Sequence, residues 1–165
     1  MSTPSTEGTV QVFTFKEGLL SKVAHDLRLS LARFEISRDG DTVRGRFWPD
    51  TLTVDGAMRD GRLDADGLKP KDKRDIHQNM TRKVLQTDRN PVVELEATHA
   101  GGRLQGQLTL NGRRQPIACA VTEAGGRITG RVTLVPTRWG VQPFKALMGA
   151  IKLQDRVEVT FDLPA

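Results

Sequence analysis

A chain of 165 residues, 37% apolar and 27% charged, has the size and composition of one soluble globular domain and needs no second. Twenty-five basic against 20 acidic residues give a formal charge of +5, which favours anionic surfaces but is too dispersed to name one. The single cysteine, Cys119, excludes an internal disulfide, and the absence of any run of about eighteen apolar residues gives no sign of a membrane-crossing helix.

Residues 1–8 read as a disordered tail. They lack the basic start and apolar centre of a secretory leader, so the expected compartment is the cytoplasm, or the periplasm if a leader has been removed. "TVQVFTF" (9–15) alternates as a first strand, and "KEGLLSKVA" (16–24) has the spacing of one or two helical turns. In "HDLRLSLARFEIS" (25–37) the apolar set runs Leu27, Leu29, Leu31 and then Phe34, Ile36. This slip of phase near Ala32 and Arg33 keeps both groups on one face only if the strand bulges there.

"RDGD" (38–41) is hairpin chemistry, and strands "TVRGRFW" and "TLTVDG" follow, parted by Pro49 and Asp50. A helix is predicted over about 70–86, with Ile76, Met80 and Val84 on one stripe and Lys73, His77 and Arg82 elsewhere. Strands return as "VVELEAT", "RLQGQLTL", "QPIACAVTE" and "RITGRVTLV", punctuated by Gly101-Gly102, Asn111-Gly112 and Gly125-Gly126. A short helical piece around "PFKALMGAI" (143–151) leads into "DRVEVTFDL" (155–163), where Val157, Val159, Phe161 and Leu163 alternate strictly.

Three segments repeat the form apolar, any, Gly, any, apolar, centred on Gly45, Gly106 and Gly130. Their polar flanks, such as Arg44, Gln105 and Arg131, belong to the water-facing side, so the glycines belong to the inner one. Glycine on a concave face lets strands coil, which favours an all-β, antiparallel, eight-stranded barrel with one or two short helices over a flat sandwich. A barrel of that size is filled by side chains or holds one small ligand, and three absent side chains point to a cavity. On that reading Gly106→Phe should fill the cavity while the fold survives.

"KRDIHQNMTRKVLQTDRNPVVELEA", "GQLTLNGRRQPI" and "PTRWGVQPFKALMGAIKLQDRVEVTFDL" together resemble segments of the YceI-like family, over about residues 9–163 of a domain at 9–165. The resemblance implies a lipocalin-like barrel enclosing a polyisoprenoid or related amphiphilic lipid, bound, stored or transported without catalysis. The family's aromatic-led first strand carrying His-Ser is not matched by "VQVFTFKEGLLSKVAHDL".

The candidate lipid-contacting residues are Phe47, Met80, Val84, Gly106, Phe161, the cluster Trp139, Phe144, Leu147 and Met148, and His25 as a headgroup contact at the mouth. Methionine suits adaptable apolar surfaces and tryptophan a boundary between grease and water. Plain core packing is the competing account of each. His25, His77 and His99 match no zinc spacing, His25 and Asp26 point to opposite faces of a strand, and no nucleophile elbow or phosphate loop occurs. The expectation is therefore no catalytic residue, no metal and no cofactor beyond the bound lipid. No specific nucleic acid is expected, nor any state beyond monomer or homodimer. An enzyme using His25 or a carboxylate on an apolar substrate, and a basic adaptor placing residues 69–83 on an anionic membrane, remain the rival readings.

Overall fold

The structure, a computed structural model, describes residues 4–17, 25–146 and 151–165. Twelve antiparallel strands form one sheet curled into a half-barrel, with a single α-helix among the described residues. They are β1 (Thr9–Lys16), β2 (Asp26–Leu31), β3 (Phe34–Asp39), β4 (Thr42–Phe47), β5 (Leu52–Arg59) and β6 (Arg62–Asp64), then β7 (Val93–Ala100), β8 (Arg103–Leu110), β9 (Arg113–Ala124), β10 (Arg127–Leu134), β11 (Lys145–Ala146) and β12 (Ile151–Pro164). The order across the sheet is β3-β4-β7-β8-β9-β10-β12-β1-β2-β5-β6, with β11 paired to β12.

Twelve strands stand where eight were expected, and a bend that splits β2 from β3 adds one of them. At Ala32-Arg33 the second alternating run breaks into β2 and β3, and the facing run breaks into β4 and β5 at the turn Pro49–Thr51. The two breaks are tied together: the Thr51 carbonyl accepts from Ala32 N–H at 3.2 Å, and its hydroxyl accepts from Arg33 N–H at 3.0 Å. Because the break absorbs the slip of phase, Leu27, Leu29, Phe34 and Ile36 all turn inward. β6 and β11 are too short to leave a periodic signal.

Ser5, inside the stretch read as a tail, instead exchanges both backbone hydrogen bonds with Ile36 of β3, at 2.7 and 2.9 Å. Lys145-Ala146, expected in a short helix, pairs as strand with Ile151 and Lys152. Residues 18–24, which carry most of the other short helical expectation, and 147–150 lie outside the described residues.

Helix α1 (Pro70–Gln78) starts with proline at a position whose N–H would be unpaired anyway, and Lys69 N–H donates to the Asp72 carboxylate at 3.1 Å. It continues into a π-helical turn over Asn79–Val84, where Leu85 N–H reaches back to the Met80 carbonyl at 2.8 Å. His77 Nε2 donates to the Asp50 carbonyl at 2.9 Å and so ties the helix to the bend between β4 and β5.

Two packed clusters stiffen the wall. Leu27, Leu29, Leu52, Val54, Ala57 and Leu68 join β2 and β5 beneath Ile76 and Met80. Leu108, Trp139 and Val141 form the second, with Val84 and Leu85 against it, and Leu85 packs against the first cluster as well.

Candidate functional site

The curled sheet encloses a hollow of about 1100 Å³, beyond the roughly 300–1,000 Å³ usual for small-molecule sites. Its wall follows from alternation. In β12 the inner residues Leu153, Val157, Val159, Phe161 and Leu163 all face it, and these ten residue steps correspond to about 33 Å of strand path at roughly 3.3 Å each. Val10 and Val12 of β1, Leu95 of β7 and Leu108 of β8 continue the same aliphatic surface, and Ile76, Met80 and Val84 cover the helical end.

The glycines do not open this space directly. A β-carbon at Gly45 would lie 2.8 Å from Phe47 Cζ, and one at Gly130 would collide with the Phe161 ring, so each gap holds an aromatic ring of the protein. At Gly106 it would strike the Glu96 carbonyl oxygen and Ala97 Cα, because β7 and β8 approach closely there. Gly106 accordingly serves the curl of the sheet and is not part of the lining, and its gap is closed by backbone.

Of the other residues singled out from sequence, Phe47, Met80, Val84, Phe144, Phe161 and His25 line the hollow. Trp139 does not. It is fully buried, and its indole Nε1 donates to the Leu108 carbonyl at 2.9 Å, so it pins the 136–139 turn to β8 as packed core. Leu147 and Met148 lie outside the described residues.

Residues 23–165 match the YceI-like domain. The chain belongs to the YceI-like family. Its fold is similar to the crystal structure of Burkholderia cenocepacia BcnA, at TM-score 0.63 and 13% identity, covering 98% of this chain and 99% of that one. It is also similar to a polyisoprenoid binding domain from Saccharophagus degradans implicated in plant cell wall breakdown, at TM-score 0.62 and 9% identity, covering 96% and 93% respectively. No curated protein matches it.

The polar groups of this YceI-like domain gather at the two ends of its hollow. Thr14, His25, Asp72, Asp75, Asn79 and Gln154 stand toward the helical end, and Ser5, Glu7, Arg38 and His99 toward the other. Gln154 Nε2 donates to the Lys16 carbonyl at 3.0 Å, whereas the buried Thr14 hydroxyl has no hydrogen-bond partner among the described residues. Among the described residues no group of three or more His, Cys, Asp or Glu could hold a metal ion, and the three histidines stay apart. His99 lines the hollow although it is not among the lipid-contacting residues expected from sequence. Extending the alternation of "VELEATHA" from Val93 through Leu95 and Ala97 places it on the inner face.

Cys119 is buried on the inner side of β9, opposite Leu104. Burial pushes its thiol pKa up, and the positive charge of Arg103 offsets this only in part, so the nucleophilic thiolate is disfavoured.

Proposed function

We propose that this YceI-like domain binds one long-chain amphiphile, isoprenoid or fatty, inside the hollow, and stores or carries it without changing it chemically. The observation that carries this reading is the hollow itself, elongated and walled by aliphatic side chains from most strands of the sheet. Burial is worth about 0.8 kcal/mol per CH₂, so one five-carbon isoprene unit contributes roughly 3 to 4 kcal/mol before ordering costs, and a few units suffice for firm binding. The fold shared with a domain described as polyisoprenoid binding supports the chain class. The one cysteine is held in its less nucleophilic form, which supports a binding role over a catalytic one.

The exposed bases Lys69, Lys71, Arg74, Arg82 and Lys83, on and beside α1, lie at the helical end of the hollow and suit brief contact with an anionic membrane during loading or release. The test of the reading is native mass spectrometry of freshly purified protein, followed by organic extraction. A retained prenyl or acyl chain supports it. Protein that stays ligand-free and takes up no chain lipid from vesicles refutes it.

A further inference from the structure

His99 is only 7% exposed and faces the hollow, yet among the described residues nothing hydrogen-bonds or ion-pairs with its ring. Only its backbone is engaged, through an N–H to the Asp41 carbonyl at 2.7 Å. Thr14 Oγ1 is the one fully buried side-chain polar atom without a partner among the described residues, so the His99 ring nitrogens still reach the hollow, where a ligand can meet them. Nearby inner-face residues are aliphatic: Leu104 directly across on β8, and Ala97 two positions earlier on its own strand. His99 stands six steps along β7 from Val93, which packs at the π-helical turn, or about 20 Å at roughly 3.3 Å per residue. The ring is therefore, among the described residues, an unpartnered hydrogen-bonding group on an aliphatic stretch of wall far from the helical end, at the end that Ser5, Glu7 and Arg38 also border.

We infer that His99 anchors an uncharged oxygen of the ligand, a hydroxyl or carbonyl, in the end of the hollow remote from α1. This deepens the lipid-binding reading and rests on it. A neutral imidazole offers one donor and one acceptor, which an alcohol or carbonyl satisfies one to one. A phosphate brings several acceptor oxygens and a charge whose burial needs several donors, and the residues beside the ring, Leu104 and Ala97, supply none. Arg38 reaches the same end, but it is exposed and its Nε already donates to the Gly40 carbonyl at 3.0 Å. The arrangement selects for chains bearing a neutral polar group over plain hydrocarbon.

The test compares geranylgeraniol, the matched hydrocarbon lacking the hydroxyl, and geranylgeranyl phosphate, each measured by displacement of a fluorescent fatty-acid probe. The wild-type protein should prefer the alcohol to the hydrocarbon. His99→Leu should weaken the alcohol by about 2- to 12-fold, as expected for one net hydrogen bond, and leave the hydrocarbon unchanged. His99→Asn, which keeps a donor and an acceptor, should recover part of the preference. If His99→Leu leaves the alcohol unaffected, or weakens alcohol and hydrocarbon alike, the anchor is overturned while lipid binding stands. A phosphate that binds more tightly than the alcohol in a His99-dependent way overturns the choice of a neutral oxygen. If neither the alcohol nor the hydrocarbon enters the wild-type protein, the lipid-binding reading fails and the anchor goes with it.

Discussion

The Phe161 ring of β12 lies over the bare backbone of Gly130, its cross-strand partner in β10. The same ring borders the hollow, so one aromatic fills the glycine gap and sets the local width. Gly130→Ala should push the ring away from β10 and into the enclosed space. The expected cost is about 1–3 kcal/mol of stability, together with weaker uptake of a chain lipid. Adding Phe161→Leu should restore part of both, because the shorter side chain leaves room for the new methyl. Urea unfolding and probe displacement on the two single variants and the double variant check the coupling.

Gly106 makes the opposite case. A new side chain there meets the Glu96 carbonyl and Ala97 Cα, and backbone in a ladder cannot swing aside as a ring can. Gly106→Ala should therefore destabilise by at least about 1–3 kcal/mol, and Gly106→Phe should fail to fold instead of merely blocking the hollow. Circular dichroism and the urea midpoint decide this. A folded Gly106→Phe protein with reduced lipid uptake would restore the reading of Gly106 as a lining residue.

These two glycines mark how far the chain could be read from its residues. Alternation in "DRVEVTFDL" and the slip of phase at Ala32-Arg33 are local signals, and both appear as inward faces in the structure. The helix stripe Ile76, Met80, Val84 is likewise local, although the chain widens there into a π-helical turn. The fate of a glycine gap depends on cross-strand register. Only the pairing of Gly130 with Phe161, and of Gly106 with Ala97, shows that one gap is covered by a ring and the other by backbone. Trp139 could not be placed from sequence for a related reason. It sits in a short turn without period, and its packing against Leu108, far back in the sequence, left no mark nearby.

Trp139 fills the wall beside Leu108 and Val141, and a network extends from its backbone. Its carbonyl accepts from Asn111 Nδ2 at 2.9 Å, and Asn90 Nδ2 donates to Asn111 Oδ1 at 3.1 Å. Trp139→Ala should cost about 3–5 kcal/mol, as for a buried aromatic truncated to a cavity. Any effect on lipid affinity should follow from this loss of stability. A variant with normal thermal unfolding and selectively lost lipid binding would instead favour Trp139 as a lipid-contacting residue.

Cys119 gives a pH dependence of known sign. Its folded pKa is raised by burial, with Arg103 partly opposing, so its contribution to stability is complete below the unfolded thiol pKa. That contribution is lost as pH rises through the folded value. Comparing wild type with Cys119→Ala by urea unfolding between about pH 7 and pH 10, the range that brackets an ordinary thiol, should show the wild-type advantage shrinking toward the alkaline end. An advantage independent of pH would mean that the thiol ionises alike in both states. The protein contains no tyrosine, which removes one competing alkaline titration.

The membrane contact proposed for the α1 segment can be tested separately from storage. Lys71 and Arg74 are exposed on α1, at the end of the hollow that Ile76 and Met80 cover. Each basic residue near an anionic surface is worth about 1 kcal/mol, so replacing both with glutamine should lower partitioning onto phosphatidylserine vesicles by roughly 30-fold. Added salt should weaken the wild-type interaction in the same direction, since the contact is screened over a Debye length. Lipid already enclosed does not feel that screening, and the amount extracted from purified variant and wild type should agree. Vesicle co-sedimentation at two salt concentrations, run beside organic extraction, measures both quantities. Unchanged partitioning in the double variant would remove α1 from the delivery step and leave the hollow as a store filled by another route.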